Sequence, residues 1–343
     1  MSSSDTGKDV LPLGGVRVIE FCQTIMGPSC GLVLADLGAD VIKVEPAPDG
    51  DKTRRLHGFA AGFFPSFNRN KRSVALNLKS EEGVALAHKL IETADVVIEN
   101  YAPGTMERLG CGYETLSKLN PRLIYCAMKG FLSGPYENRP ALDEVVQYMA
   151  GLAYMTGPPG RPLRAGASII DIMGGTYGAM GIMAALRDRD RTGEGQYVKS
   201  ALFESTAFLM MQHMASEVVT GHPVPPMPNR QGAWAVYEVF KTSDDDQIFI
   251  GITSDNHWRR FCERFERQDL LQDPTLKTNE DRVRARDRII PICTEIFGAH
   301  TKAALVDICE KIEIPYASVA RPGDLFEDPQ LNAHGRLLPT RMP

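Results

Sequence analysis

Short apolar runs alternate with amphipathic segments through the first third of the chain, and this alternation limits the fold more than any other feature. The extended segments read "VRVIEF", "DVIKVEP", "KRSVALNLK", "DVVIENY" and "RLIYCAM". Between them, "MGPSCGLVLADLGA" and "SEEGVALAHKLIETA" have the pattern of helices. Strands that alternate with helices across short loops are typical of a parallel, doubly wound sheet with helices on both faces. Ligands of such sheets bind at the carboxyl ends of the strands.

Beyond residue 134 the pattern is mainly helical, with helices expected at 143–150, about 171–187 and 202–220. A proline-rich break, "GHPVPPMPNRQG", comes next. After it, "WAVYEVFKTSDDDQIFIGIT" predicts a β-hairpin, and helical segments continue to about residue 312. Residues 226–315 are therefore predicted to form a smaller α+β domain.

Composition and charge exclude several classes of protein. The 343 residues are 43% hydrophobic and 24% charged, which is ordinary for a soluble globular protein. A net charge of −5 argues against nucleic acid as a partner, because a phosphate backbone requires a basic surface. Seven scattered cysteines without a C-x-x-C pair, and histidines without ligand spacing, indicate reduced thiols and no metal site. The polar start, with no apolar run near ~18 residues, predicts a cytoplasmic protein that does not bind a membrane.

Asp171 stands inside the apolar stretch "AGASIIDIMGG", where an unpaired charge is costly. In a structural interpretation, Ser168 and Asp171 form a capping box that satisfies backbone N–H groups at a helix start. In a functional interpretation, the helix dipole keeps this carboxylate ionised, and the carboxylate is a nucleophile. Its attack on a thioester would give a mixed anhydride. The local sequence leaves both interpretations open.

Two further patterns are equally ambiguous. Gly174, Gly178 and Gly181 share one helical face, which indicates either tight helix packing or a wall against which a ligand lies. A set of basic residues in the alternating region could hold a phosphorylated ligand or could simply be solvated: Lys71, Arg72, Lys79, Arg108 and Lys129. The glycine-rich "GGTYGAMG" does not follow a strand, so it is no dinucleotide fingerprint, and NAD is not expected.

Six segments of the chain together resemble family III CoA-transferases. They read "GGVRVIEFCQTIMGPSCGLVLADLGADVIKVEP", "FNRNKRSVALNLKSEEG", "ADVVIENYAPGTMERLG", "LNPRLIYCAMKG", "IIDIMGGTYGAMGIMAAL" and "RTGEGQYVKSALFES". The likeness runs in order from about residue 12 to 335. The resemblance implies that Asp171 is the nucleophile and forms acyl-aspartyl anhydride and aspartyl-CoA thioester intermediates. It also implies CoA contacts at Gln23, Thr24, Ile25, Met26, Leu76, Lys79, Asn100, Tyr101, Ala102, Arg108 and Lys129.

The same resemblance implies an architecture. Each subunit of the family has a Rossmann-like large domain and a small domain, and two subunits thread through each other like linked rings. We therefore expect an interlocked homodimer in which each chain has four parts. These are a CoA-binding large domain at 10–200, a linker helix at 201–225, the small α+β domain at 226–315, and a shortened segment at 316–343 that returns to the large domain.

The chain departs from the family pattern at several positions. Leu142 stands where the racemases of the family carry a catalytic His, so two-base proton transfer lacks one base. Pro46 replaces an arginine that often contacts CoA after the second strand. The glycine-run loop of the formyl-CoA enzyme is missing after "MPNRQG", and the chain stops earlier than the relatives do.

The expected function is transfer of CoA from an acyl-CoA to a free carboxylic acid, with no tightly bound cofactor. Backbone N–H groups near a Gly174–Gly175 turn are candidates for oxyanion donors. Two alternatives stay open: an acyl-CoA racemase or epimerase, and a degenerate CoA-binding subunit without activity. The sequence does not identify the donor and acceptor acids.

Overall fold

The computed structural model describes residues 11–229 and 232–340. The boundary expected at residue 10 and the last three residues of the expected return segment lie outside the described residues, as do Arg230 and Gln231 of "MPNRQG". Contacts divide the chain into two compact units, residues 1–229 and 230–343. Each unit is described by itself.

Six parallel strands form the sheet of the first unit, in the spatial order β3-β2-β1-β4-β5-β6. The strands are β1 Arg17–Phe21, β2 Asp40–Pro46, β3 Arg72–Leu76, β4 Val96–Glu99, β5 Ile124–Lys129 and β6 Gln196–Ala201. This confirms the predicted doubly wound parallel sheet. The strand order reverses between β1 and β4, and such a switch point opens a crevice at the carboxyl ends of the strands.

Helices cover this sheet on both faces. They are α1 Met26–Asp36, α2 Phe63–Phe67, α3 Glu81–Glu92, α4 Thr105–Arg108, α5 Tyr113–Leu119, α6 Asp143–Met149, α7 Leu152–Thr156, α8 Ile169–Thr192 and α9 Leu202–Thr220, with 3-10 turns at Lys52–Arg55, Gly58–Gly62 and Met227–Asn229. Helix α9 has its predicted bounds. Helix α8 extends past the expected 171–187 at both ends, and it stops at Gly193, whose φ of +81° suits a left-handed helix cap.

Side chains of the central strands point alternately into two hydrophobic cores. On β5, Ile124 and Met128 pack with α1 and α8 in one core, whereas Tyr125 and Ala127 pack with α3 and α5 in the other. Strands buried on both faces read as nearly continuous apolar runs. This burial explains why the strands of the first region were recognisable in the sequence.

The glycine face of α8 packs tightly against α1 and the sheet. A Cβ added at Gly175 would lie 2.5 Å from the carbonyl oxygen of Met26 and even closer to the hydroxyl of Ser29. A Cβ at Gly178 would overlap the end of Met128. Of the two interpretations of this face, the structure therefore supports helix packing.

Lys71 and Arg72 are used inside the unit and do not form a free basic patch. The Lys71 ammonium is buried and lies 2.7 Å from a carboxylate oxygen of Glu20, which also pairs with Lys43 at 3.2 Å. Arg72 pairs with Asp40 at 2.5 Å. Neither of the two interpretations offered for Lys71, a solvated side chain or a phosphate ligand, describes this buried ion pair.

The second unit is built on a three-stranded antiparallel sheet, β7 Val236–Lys241, β8 Gln247–Ile252 and β9 Tyr316–Ser318. Its helices are α10 Asp255–Arg264, α11 Gln268–Leu271, α12 Asn279–Arg284, α13 Arg286–Gly298, α14 Lys302–Lys311 and α15 Pro329–Asn332, with 3-10 turns at Pro274–Leu276, Pro322–Phe326 and Ala333–Gly335. The β7–β8 pair is the predicted hairpin, and one core joins this sheet to its helices.

Two expected boundaries move. Strand β9 pairs with β8 through Tyr316 and Ile250 and forms an edge strand of the small sheet. The segment that starts at 316 therefore begins inside the small domain. Helix α9 packs on α6 and α8 within the first unit, so residues 201–225 are not a separate linker. The expected return of the remaining segment to the large domain stays a prediction.

Among the residues that the structure describes, one helix, α8, is long and apolar enough to cross a membrane by length and composition alone, as are α13 and α14 if that bent pair is counted as one span. This differs from the expectation that no apolar segment reaches such a length. A buried core helix passes the same test, and the glycine face of α8 packs like one.

The packing of α8 predicts that two adjacent glycines respond differently to alanine. Gly175→Ala should destabilise the protein by about 2 kcal/mol or more, because the new methyl group meets the fixed backbone of α1. Gly174→Ala should stay within about 1 kcal/mol, because its methyl group meets only the flexible end of Met26. Urea unfolding followed by circular dichroism measures both changes, and equal midpoints for the two variants would contradict this packing.

Candidate active site

Asp171 lies in the first turn of α8, two residues after the helix begins. The preceding Ser168 makes no side-chain capping bond, so the predicted capping box of Ser168 and Asp171 does not form. The free N–H groups at the start of a helix need acceptors when they are buried. The acceptor here comes from another part of the chain.

Asp143, the first residue of α6, caps α8 in place of Asp171. One oxygen of its buried carboxylate, Oδ2, accepts the backbone N–H of Ile170 at 2.8 Å and that of Asp171 at 3.1 Å. The structural role considered for Asp171 therefore belongs to Asp143. Sequence reasoning missed this role, because the two aspartates are 28 residues apart.

Two polar side chains hold the Asp143 carboxylate in place. The amide Nε2 of Gln147 donates to its Oδ1 at 2.5 Å, and the Oε1 of the same side chain accepts the N–H of Ala165 at 2.8 Å. The guanidinium of Arg164 lies 3.8 Å from Asp143 Oδ1 and donates to the carbonyl of Ala167. The loop that leads into α8 is thus tied to α6.

The side chain of Asp171 is partly buried, and its carboxylate accepts no hydrogen bond from any residue that the structure describes. Burial raises the pKa of Asp171 to about 7, the charge of Asp143 adds to this rise, and Arg164 opposes it. Burial and the like charge of Asp143 thus act against the ionised form that the helix dipole is expected to favour. A free carboxylate with a strongly raised pKa is typical of functional sites.

The expected oxyanion donors are not at Gly174 and Gly175. Both residues lie inside α8, where each backbone N–H bonds the carbonyl four residues earlier. There is no turn at this point, so these N–H groups do not face a substrate. The carbonyl of Gly174 accepts the hydroxyl of Ser200 at 2.7 Å.

The loops after β1 and β4 are pinned together at the switch point of the sheet. The Asn100 side chain accepts the backbone N–H of Gln23 at 2.9 Å and donates to its carbonyl at 2.8 Å. Next in the chain, Thr24 has a φ of +67°, and Ile25 and Met26 are buried. Met26 packs beneath Gly174, so the "QTIM" loop lies beside the first turns of α8.

A cleft of about 500 Å³ opens at the carboxyl ends of β4 and β5. Its lining contains four of the predicted CoA contacts, Asn100, Tyr101, Ala102 and Lys129. Arg139, which the sequence reasoning did not single out, lines it as well, and its wall reaches Leu142, next to Asp143. The structure therefore brings these four predicted contacts together near the start of α6.

Lys129 lines the cleft but is already paired within the protein, and Leu76, Lys79 and Arg108 do not line the cleft. Lys129 Nζ lies 2.6 Å from the buried Glu99 carboxylate and donates to the Tyr101 carbonyl at 2.7 Å, so its charge is paired within the protein. The Leu76 side chain is buried in the core. Lys79 and Arg108 are exposed, and neither forms an ion pair within the described ranges. All the CoA contacts expected from the sequence, including those that line the cleft, stay predictions.

The part of the chain that the structure describes contains no group of three His, Cys, Asp or Glu side chains that could hold a metal ion. The seven cysteines are all buried, free thiols.

Comparisons with known proteins identify the family of the chain. A model of CoA-transferase family III matches residues 13–343. The succinate–glutarate CoA-transferase of Agrobacterium fabrum is 35% identical over 94% of this chain and 84% of its own length. The succinyl-CoA:mesaconate CoA-transferase of Haloarcula marismortui is 35% identical over 93% of this chain and 83% of its own length. The acetyl-CoA:oxalate CoA-transferase of Acetobacter aceti is 33% identical over 98% of this chain and 88% of its own length.

Two solved structures share the fold across most of the chain. A CAIB/BAIF family protein from Brucella suis has a TM-score of 0.85 at 34% identity, covering 95% of this chain and 88% of that one. A hypothetical protein from Mycobacterium tuberculosis has a TM-score of 0.82 at 30% identity, covering 94% of this chain and 87% of that one. The chain belongs to CoA-transferase family III, as its sequence predicted, and it is an enzyme that transfers CoA.

The raised pKa of Asp171 predicts a pH-dependent gain in stability for Asp171→Asn. The folded protein holds a proton here up to about pH 7, whereas the unfolded chain releases it near pH ~4, so this group destabilises the fold increasingly as pH rises between them. Relative to the wild type, the variant should gain little near pH ~4 and roughly 1–2 kcal/mol above pH ~8, after allowance for solvent screening.

Thermal unfolding across this pH range measures the effect. Asp190→Asn, an identical change at an exposed position of α8, is the control and should give no such trend. A gain for Asp171→Asn that does not change with pH would contradict the raised pKa.

Proposed function

We propose that the protein transfers CoA from an acyl-CoA to a free carboxylic acid through covalent intermediates on Asp171. One observation carries the proposal. The Asp171 carboxylate accepts no hydrogen bond from the described residues, although it stands at a helix start, because Asp143 does the capping there. A carboxylate nucleophile needs a free lone pair, and this arrangement leaves both oxygens available.

The first half of the reaction loads Asp171 with CoA. A carboxylate oxygen of Asp171 attacks the acyl carbon of the thioester, the C–S bond breaks, and the CoA thiolate leaves an acyl-aspartyl anhydride. The thiolate then attacks the Asp171 carbonyl carbon. The donor acid departs as a carboxylate, and an aspartyl-CoA thioester remains.

The second half repeats these steps with the acceptor. The acceptor carboxylate attacks the aspartyl-CoA thioester and releases the thiolate, which gives a second anhydride. The thiolate attacks the acyl carbon of the acceptor, so that the new thioester forms and the Asp171 carboxylate is restored. No step transfers a proton, so the cycle requires only that Asp171 start ionised.

Burial of Asp171 suits this chemistry. The ionised side chain is disfavoured by desolvation and by the charge of Asp143, and acylation removes that charge. Interactions that are relieved as the reaction proceeds lower its barrier. Exclusion of water also protects an anhydride from hydrolysis.

We place CoA along the carboxyl ends of β1, β4 and β5. The cleft beside Asn100 and Tyr101 offers a path toward the start of α6, and the "QTIM" loop lies next to α8. Lys79 and Arg108 are exposed cations suited to the phosphates of CoA. Pro46, in the position of a family arginine, offers no such charge.

We further propose that the acceptor acid is dicarboxylic. The relatives described above are named for succinate and glutarate, for succinyl-CoA and mesaconate, and for acetyl-CoA and oxalate, so each name contains a dicarboxylic acid beside its CoA donor. The Arg164 guanidinium acts electrostatically on Asp171, and its buried Nε has no hydrogen-bond acceptor among the described residues. A guanidinium in this position suits a substrate carboxylate.

The racemase alternative gains no support from the site. Leu142 is 69% exposed at the wall of the cleft, and a hydrocarbon side chain cannot accept a proton.

A homodimer and a cytoplasmic location are also proposals. Helix α9 exposes a series of large apolar side chains, Phe208, Met211, Met214, Val218 and Val219. Contiguous apolar surface of this kind marks contact sites, and we propose that a second copy of the chain covers it. Buried free thiols agree with a reducing compartment.

Mass spectrometry tests the nucleophile directly. Incubation with an acyl-CoA such as succinyl-CoA should leave a CoA adduct on the peptide that carries Asp171. Asp171→Ala should lose the adduct and at least roughly a thousandfold in turnover, because no other group replaces the nucleophile. Its affinity for CoA should stay within a few fold.

Asp190→Ala, the same change at an exposed position of α8, is the matched control and should keep both adduct and turnover. An adduct on another residue, or normal turnover in Asp171→Ala, would refute the mechanism.

Charge on α9 should disrupt the dimer. In V218K/V219K, two side chains that are 84% and 85% exposed in one chain become cationic. Burial of unpaired charges at an interface is unfavourable, so sedimentation velocity should show the dimer weakened by at least about tenfold. Q212K, an exposed polar position of α9, is the control. A monomeric wild type would contradict the proposal.

A further inference from the structure

We propose that Asp143 is a positioning residue for catalysis, whose carboxylate fixes the backbone of Asp171 and whose charge makes the Asp171 anion more reactive. The inference rests on the proposed function of Asp171 as the nucleophile. Asp143 accepts a hydrogen bond from the backbone N–H of Asp171 and makes none with its carboxylate.

The positional part follows from the capping bonds. A single oxygen of Asp143 accepts two consecutive N–H groups, one of which is the N–H of Asp171 itself. The main chain of the nucleophile is thus held from a different helix. A nucleophile held in one orientation reacts faster than a mobile one.

The Asp143 carboxylate is itself rigid. Gln147, which is fully buried, donates to its other oxygen and anchors the loop through Ala165. Arg164 approaches the same oxygen at 3.8 Å. Both oxygens of Asp143 are occupied, which separates this capping carboxylate from the free one on Asp171.

The electrostatic part follows from the charges around Asp171. Asp143 on α6 and Arg164 in the preceding loop are the charged groups that act on it. Helix α1 presents Met26 and Ser29, and β6 presents Ser200, none of which is charged. On β5, Lys129 is paired with Glu99, and on α9, Glu204 accepts the N–H of Leu132. Asp143 is therefore the like charge that opposes the Asp171 anion and is relieved by acylation.

The test is the pH profile of kcat/KM for Asp143→Asn. The amide oxygen of Asn can still accept both N–H groups, so the cap is retained while the charge is lost. The acid limb, near pH ~7 in the wild type, should move down by about one unit, with a several-fold lower plateau. A purely structural role would change the plateau and leave the limb in place.

Glu144→Gln is the matched control. Glu144 is the next residue of α6, it is exposed, and its substitution removes the same charge. Its acid limb should coincide with that of the wild type.

A second variant keeps the test decisive if Asp143→Asn folds poorly. The new amide would face the amide Nε2 of Gln147, donor against donor. In D143N/Q147E a carboxylate accepts from that amide and still accepts from Ala165, so every hydrogen bond is restored while the charge moves away from Asp171. The acid limb of this double variant should lie at a lower pH than that of the wild type. Where Asp143→Asn can also be measured, the limb of the double variant should fall between the two.

The possible failures are distinguishable. A wild type that forms a CoA adduct on Asp171, combined with variants whose acid limbs do not move, overturns the role of Asp143 alone. A wild type without an adduct on Asp171 overturns both proposals.

Discussion

The hydrogen bonds from two N–H groups of α8 to one oxygen of Asp143 are the interaction on which the site depends. A helix that starts inside a protein must have acceptors for its first N–H groups. Because α6 supplies the acceptor, the acidic residue in the first turn of α8 is released from that task. Asp171 can then stand partly buried and accept no hydrogen bond from the described residues. Its pKa is raised to about 7, so its carboxyl group changes charge near neutral pH.

The fold places the first turn of α8 near the switch point of the sheet. Glycines on α8 allow α1 to approach closely, and α1 begins directly after the "QTIM" loop. Asn100 joins that loop to the end of β4 at the point where the order of the strands reverses. Close packing of these two helices thereby brings the first turn of α8, which carries Asp171, near the switch point of the sheet. A change in the packing of α1 against α8 would therefore shift the residues of the candidate site.

Local pattern predicted five of the six strands of the parallel sheet, the bounds of α9 and the hairpin, because each depends on residues that are near in sequence. It failed where long-range contacts decide. The capping box was locally reasonable, but the actual cap lies 28 residues away. The burial of Lys71 depends on Glu20, 51 residues distant. Strand β9 was missed because three residues carry little periodicity and its pairing partner, β8, precedes it by more than 60 residues.

Oxygen exchange tests the central claim, covalent turnover at Asp171, most directly. The acceptor acid is labelled with heavy oxygen in its carboxylate and supplied with an unlabelled acyl-CoA. In the proposed cycle, the bridging oxygen of the second anhydride comes from the acceptor and remains on Asp171 when the product forms. The peptide containing Asp171 should therefore gain heavy oxygen during turnover, and no other carboxylate should. Turnover that leaves the Asp171 peptide unlabelled would contradict the account.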